Sequence, residues 1–233
     1  MNTFNRIVKY LFDRVTALVG LVVLALPLAV IALLVRRSLH GAPVIFTQTR
    51  VGKDGQYFRI HKFRTMTNEQ ELSPIAYPNR ARITPIGAKL RRHKLDELPE
   101  LWDVLVGHMS FVGPRPDVPG YADKLVGDDR DVLRLRPGIT GPATLKYRLE
   151  DEYLANARNL VSSFKFQDSG KEKPDFDKMT DQEVAVWYND NVIYPDKVRL
   201  NCYYYRHYSF IKDIQMIICT VLGKNMKYAG EVI

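Results

Sequence analysis

The sequence predicts a helix-rich α+β fold with few short strands, held to a membrane by its N-terminal segment. Three observations predict it. An uncharged apolar run occupies Val15–Val35. Two later segments, Asp96–Val106 and Ser209–Leu222, repeat apolar residues at helical spacing. β-like runs are confined to Val44–Gln48 and Gln56–Phe63.

The N-terminal element comes first. Phe4, Ile7, Val8, Leu11, Phe12 and Val15 fall on one helix face, flanked by Arg6 and Lys9, a pattern suited to a membrane interface. The next 21 residues, Val15–Val35, carry no charge, and a bilayer span needs about 20 apolar residues. A cleaved signal peptide fits less well, because the run is long and the region before it is not short. Pro27 removes a backbone donor inside the run and kinks a helix there. The carbonyl freed near Val23 must find another partner. Both flanks are basic, with Arg6, Lys9 and Arg14 before and Arg36 and Arg37 after. The positive-inside rule therefore sends both ends to the cytosol. A re-entrant helix broken at Pro27, entering and leaving by one face, satisfies both and is preferred to a straight span. Residues 1–40 are expected to form this anchor, and residues 41–233 a domain on the cytosolic face.

Beyond the anchor, the glycines and Asp of Val51–Gly55 read as the turn of a hairpin. Asn68–Asn79 reads as a polar loop, and Ile86–His93 as a basic helix. In Asp96–Val106 the apolar face is Leu98, Leu101, Trp102 and Leu105. Pro99 is tolerated only in a first turn, so that helix should start near Lys94 or Leu95, with Asp96 and Glu97 at its N-terminal end. Ser162–Lys178 is polar and reads as a loop insertion. The last helix should bury Phe210, Ile214, Ile217, Ile218 and Val221.

Composition narrows the partners. Net charge is +8, which favours an anionic partner. The segment Arg50–Lys94 holds eleven Lys or Arg against three Asp or Glu, so the partner should be met there. Cys202 and Cys219 are too few for a disulfide scaffold and lack metal-ligand spacing, so both are expected to be unpaired thiols.

Asp96 and Glu97 are the candidate reactive pair. Adjacent acids often do no more than complement a helix dipole. Here Arg91, Arg92 and Lys94 precede them directly, and a basic cluster, a helix start and two carboxylates together suit both a phosphate and Mg²⁺. Lys62 and Arg64 suit a phosphate clamp, although a basic strand edge has the same composition. Arg115 and Arg136 sit beside prolines, and their guanidinium forks suit bidentate phosphate contact.

Three stretches carry a resemblance: PVIFTQTRVGKDGQYFRIHKFRTM (Pro43–Met66), KLDELPELWDVLVGHMSFVGPRP (Lys94–Pro116) and RPGITGPA (Arg136–Ala143). They resemble the bacterial sugar transferases, the monotopic polyprenyl-phosphate phosphoglycosyl transferases, and the tail Asn201–Leu222 is similar to that family's closing helix. The resemblance implies a proline-broken re-entrant anchor in the bacterial inner membrane, with the catalytic domain facing the cytosol. It implies that Asp96 is a nucleophile on the sugar-bearing phosphorus of a UDP-sugar, that Glu97 completes the dyad, and that Mg²⁺ assists, held by Asp96 and Glu97. UMP would leave, and polyprenyl phosphate would take the sugar phosphate from the enzyme. Arg91 matches the family's arginine five residues before the nucleophile. Lys62, Arg64, Arg91, Arg115, Arg136 and Thr140 are the expected substrate-binding residues. A homodimer is compatible with the resemblance.

The sequence departs from the family after RPGITG, where Pro142–Lys146 replaces the usual Trp and Gln-Val, and in the longer segment Arg148–Tyr194. It matches the short form without extra N-terminal helices. A membrane-tethered nucleic-acid module is the alternative from another class. Tyr57, Phe58 and Phe63 do interleave with the basic residues, but no recognised nucleic-acid fold pattern accompanies them, so no nucleic-acid partner is expected. A membrane scaffold would leave the acidic pair beside its basic cluster unexplained.

Overall fold

A computed structural model describes residues 1, 3–39, 41–67, 82–163 and 174–233. Helices dominate and strands are few and short, as expected. The segment expected to form the anchor is a pair of helices, α1 (Thr3–Val23) and α2 (Ala25–Ser38), bent by 64°. No single described helix is long and apolar enough to cross a membrane, whereas the bent pair is by length and composition. The break falls at Leu24, one turn before Pro27. The physical reason is that Pro27 has no N–H for the carbonyl of Val23 and its ring crowds that residue, so distortion appears at position i−4. Leu24 N–H still bonds Gly20 O at 2.9 Å and Leu28 N–H bonds Leu24 O at 2.8 Å, so the chain turns with few lost bonds.

Helix α1 has two faces of different kinds. Phe4, Ile7, Leu11, Val15, Leu18 and Val22 are exposed. Lys9, Asp13 and Ala17 are buried against the rest of the protein. Phe12, expected on the apolar stripe, turns inward and meets the rings of Phe111 and Phe210 edge-on. The buried charges are satisfied: Lys9 Nζ donates to Asp213 Oδ2 at 2.7 Å, and Asp13 Oδ1 accepts from the Phe111 N–H at 3.1 Å.

Strands β1 (Ile45–Val51) and β2 (Tyr57–Phe63) form the expected antiparallel hairpin. Gly55 and Asp54 adopt positive φ in its turn, the conformation such a tight reversal needs. Helix α3 (Pro85–Arg92) starts on Thr84, whose hydroxyl accepts from Gly87 N–H, a standard N-cap. Gly87 cannot carry a side chain, because a Cβ would lie 2.1 Å from Thr65 O.

The expected helix over Asp96–Val106 is divided. Leu95–Glu97 forms a 3₁₀ turn, and α4 (Glu100–Val106) begins only after Pro99. Proline sets that start by its fixed φ and missing donor. The buried face of α4 also differs from expectation: Glu100, Leu101, Asp103 and Val104 are buried, while Trp102 is 52% exposed. Polar partners below explain why two acids outrank a Trp for the interior.

Strands β3 (Ser110–Val112) and β4 (Gly138–Thr140) pair in parallel. Their approach is close enough that a Cβ on Gly138 would meet Gly113 N at 2.1 Å. Helices α5 (Pro142–Lys146), α6 (Glu150–Ala155), α7 (Ala157–Ser163), α8 (Asp181–Tyr188), α9 (Tyr194–Arg206) and α10 (Phe210–Leu222) complete the fold, with a small hairpin of β5 (Lys227–Tyr228) and β6 (Glu231–Val232). Leu200, Tyr204 and Met216 centre the largest core. A second core of Ala17, Ile60, Val104 and Met109 joins α1, β2 and α4, and a third joins α2 to Phe63 and Leu90.

Helix α10 was expected to bury Ile218 and Val221, yet both are exposed, with Asp213 and Met216 buried instead. Asp213 accounts for this rotation, since it accepts from Lys9, from Tyr204 Oη at 2.5 Å and from Tyr208 Oη at 3.1 Å. The expected loop Asn68–Asn79 lies outside the described residues. Of Ser162–Lys178, the first two residues continue α7 and Phe176–Lys178 forms a buried-side 3₁₀ turn; residues 164–173 are outside the description. Cys202 and Cys219 are unpaired, as expected.

Candidate active site

The site forms where β2, the 3₁₀ turn and the start of α4 meet. Lys94 holds a left-handed φ of 55°, which ends α3 and turns the following acids inward. Both Asp96 and Glu97 are buried, not solvated. Glu97 is pinned from two sides: Lys62 Nζ and Arg115 Nη2 each donate to its Oε1 at 2.7 Å. Asp96 is different. Its Oδ1 is buried and accepts no hydrogen bond.

The electrostatics separate the two carboxylates. Burial pushes the Asp96 carboxyl above its ordinary value and the Glu97 charge adds to this, against the pull of Lys62, Arg91 and Lys94. Burial also acts on Glu97, but Arg115 and Lys62 outweigh it and hold that carboxyl well below the usual range. Glu97 correspondingly raises the pKa of Arg115. One acid is thus fixed as an anion inside an ion-pair cage. Its neighbour is left with an unoccupied acceptor, which is the more reactive arrangement of the two.

Several sequence-predicted residues converge here: Asp96, Glu97, Lys62 and Arg115 by contact, and Arg91 through its charge on Asp96. Three do not. Arg64 donates to Pro43 O at 2.9 Å and lies over the Phe46 ring. Arg136 lies over the ring of Tyr10 and makes no hydrogen bond or ion pair with the dyad. Thr140 is buried, sharing a 2.6 Å hydroxyl contact with Thr220 that joins β4 to α10.

Glu100 and Arg50 were not anticipated. Glu100 is 2% exposed, its Oε1 is 3.1 Å from Lys62 Nζ, and burial pushes its pKa up to about 7. Arg50 donates to Pro116 O and Gln48 Oε1, while its Nε is buried without a partner. Arg50, Lys62, Glu100 and Arg115, with Ile60 and Pro116, line a small cavity beside Glu97. Strand periodicity carried the signal. Phe58, Ile60 and Lys62 alternate on β2, and Arg50 and Gln48 stand opposite Phe58 and Ile60, so all share one face. Glu100 follows Glu97 by three residues, the spacing of one helical face.

A second pair, His61 and Asp103, ties the same strand to α4. Asp103 is fully buried and holds His61 twice, through its ring at 2.7 Å and its backbone N–H at 2.9 Å. That clamp fixes β2 against α4 and so sets where Lys62 points.

The residues fit a magnesium ion in a particular way. Among the described residues no three His, Cys, Asp or Glu side chains cluster as ligands. Mg²⁺ commonly takes only one or two carboxylates and completes its shell with water and phosphate oxygens. The buried, unpartnered Oδ1 of Asp96 supplies such a carboxylate.

The family model described as bacterial sugar transferase matches residues 4–166, which contain every element of this site. The chain is a member of the bacterial sugar transferase family. Among its relatives, an exopolysaccharide production protein, PSS, from Rhizobium leguminosarum bv. phaseoli is 42% identical over 167 residues, covering 67% of this sugar transferase and 83% of the relative. The sugar transferase EpsL of Bacillus subtilis is 32% identical over 216 residues, covering 92% and 86%. The UDP-glucose:undecaprenyl-phosphate glucose-1-phosphate transferase of Escherichia coli is 34% identical over 196 residues, covering 82% of this chain but 39% of its own length. The sugar transferase is therefore an enzyme of the phosphoglycosyl transferase class.

Proposed function

We propose that this sugar transferase moves a sugar-1-phosphate from a UDP-sugar to polyprenyl phosphate, through a covalent intermediate on Asp96. The observation that carries the reading is the contrast within the dyad. Glu97 is caged by Lys62 and Arg115, while Asp96 keeps a buried oxygen with no partner. Relatives named for UDP-glucose and for undecaprenyl-phosphate galactose transfer support the substrate classes.

In the first step an Asp96 carboxylate oxygen attacks the phosphorus that bears the sugar. The bond from that phosphorus to the bridging oxygen breaks, and UMP departs with the electron pair. In the second, a phosphate oxygen of polyprenyl phosphate attacks the same phosphorus, and Asp96 leaves as a free carboxylate. The product is a polyprenyl-diphospho-sugar, and one difficult displacement becomes two easier ones. Lys62, Arg115 and Arg91 balance charge on the phosphoryl oxygens. Asp96, with Glu97 beside it, would hold Mg²⁺, which when bound neutralises phosphate charge.

The bent α1–α2 pair suits a re-entrant anchor in the inner membrane, with the site at the cytosolic face. A reaction centre at head-group depth admits both a lipid phosphate and a soluble nucleotide. The test is mass spectrometry of enzyme quenched during turnover with a UDP-sugar. We expect a phosphosugar adduct on the peptide containing Asp96, absent in Asp96→Asn. Product accumulating without any adduct would overturn the mechanism.

A further inference from the structure

Arg136 has a second arginine for company. The guanidinium carbons of Arg14 and Arg136 lie 4.5 and 4.8 Å from the centroid of the Tyr10 ring. Arg14 Nη2 also donates to the Tyr10 hydroxyl at 2.9 Å. Among the described residues neither guanidinium has a carboxylate within 4.0 Å. Two like charges converge on one ring, and nothing in their surroundings neutralises them by direct pairing. Burial, and after it Arg14, push the Arg136 guanidinium below its usual value.

A glycine admits this arrangement. Gly107 ends α4 with a φ of +91°, and a Cβ there would sit 1.9 Å from Arg14 Nη2. The Arg14 guanidinium therefore rests on bare backbone. Position matters as much as charge. Arg14 follows Leu11 by three residues and precedes Leu18 by four, so it neighbours both on α1. Leu11 is 61% exposed and Leu18 is 52% exposed. The cation pair thus borders the exposed apolar face of α1, and it stands at the end of α4 opposite to the dyad.

We propose that Arg14 and Arg136, held over Tyr10, clasp the phosphate of an anionic phospholipid headgroup. The clasp rests on the membrane reading given above. Planar guanidinium forks bind phosphate bidentately, and basic groups beside a membrane-inserted face recognise anionic lipid. The shared chemistry is a phosphate anion. The adjoining apolar face favours a source that carries acyl chains over phosphate in solution.

The experiment uses the full chain in detergent with short-chain dihexanoyl phosphatidylglycerol, binding being followed by native mass spectrometry and calorimetry. We expect about one lipid per chain. Arg14→Gln and Arg136→Gln should each weaken binding by about tenfold or more, as loss of a charge-assisted contact does. Arg14→Lys, which keeps the charge and loses the fork, should fall between. Thermal melting establishes that each variant is folded, and Arg14→Lys serves if a Gln variant is not. Wild-type affinity in the folded variants would overturn the clasp. So would displacement of the lipid by equimolar inorganic phosphate, or by one equivalent of polyprenyl phosphate, since the site would then belong to an ion or to the substrate. Asp96→Asn should bind the lipid normally while losing turnover. Retained turnover in that variant sinks the reaction proposed above and leaves the clasp standing.

Discussion

At the scale of single residues, the unequal treatment of neighbouring acids governs behaviour. The proposed attack requires Asp96 to be ionised, and burial raises its pKa. Its protonated form therefore persists to higher pH than that of an ordinary aspartate, and the acid limb of kcat should lie correspondingly high. A pH–rate profile under single-turnover conditions checks this; an acid limb at or below the ordinary value of 3.8 contradicts it. Glu100 gives a separate prediction on stability. Its pKa rises from 4.5 to about 7 on folding, so the folded state holds a proton that the unfolded chain has released. Its contribution is fully present below about pH 4.5 and is lost as pH climbs through about 7. Glu100→Gln removes that titration. The variant should gain on the wild type across this window by on the order of 2–3 kcal/mol, read from denaturant midpoints at pH 4.5 and 7.5. The pair Asp96–Glu97 was legible in the sequence because its motif is long and its basic neighbours are adjacent. Glu100 and Arg50 were not, because an acid and an arginine in those positions read as solvated until a strand and a helix are set face to face.

At the scale of elements, proline decides two boundaries, and the structure moves both from where the sequence put them. Pro99 was expected inside the first turn of a helix starting near Lys94 or Leu95, whereas α4 begins only after it; the preceding 3₁₀ turn was hidden because it depends on the left-handed Lys94. Pro27 was expected to mark the break in the anchor, which instead falls at Leu24. A missing donor disturbs the carbonyl four residues earlier, so the visible residue and the visible bend are a turn apart. Pro27→Ala returns that donor and should straighten the pair, lengthening the distance between spin labels at Arg6 and Arg37. An unchanged distance would mean that packing of α2 on Phe63 and Leu90 fixes the bend instead. Single cysteines at Arg6 and Arg37, in a background lacking Cys202 and Cys219, should both be labelled from the cytosolic side. Labelling from opposite sides would convert the anchor into a kinked span. The buried face of α10 was misjudged for a related reason. Hydrophobic spacing favoured Ile218 and Val221, but the partners that draw Asp213 inward come from elements far away in sequence.

At the scale of the whole molecule, those distant partners bind α1 to the rest of the fold. Lys9 on α1, Tyr204 on α9 and Tyr208 after it all converge on Asp213 of α10. Breaking a buried pair by removing one charge costs about 3–5 kcal/mol. Asp213→Ala should therefore lower stability by about that amount, measured as loss of the folded fraction in denaturant, and Lys9→Met in the same background should recover part of it. A loss below about 1 kcal/mol would show that the network is incidental. The helix-rich architecture itself was legible from periodicity, whereas this closure was not, since no local pattern announces a partner 204 residues away.

That separation bears on how the protein is made. A ribosome adding about 5–20 residues per second needs roughly 10–40 s to travel from Lys9 to Asp213. Throughout that interval nascent α1 carries an ammonium group whose buried partner, Asp213, has not yet been synthesised. A chain released before α10 emerges keeps the apolar face of α1 but lacks the carboxylate that seats Lys9, so truncated products should fold less stably than the full chain.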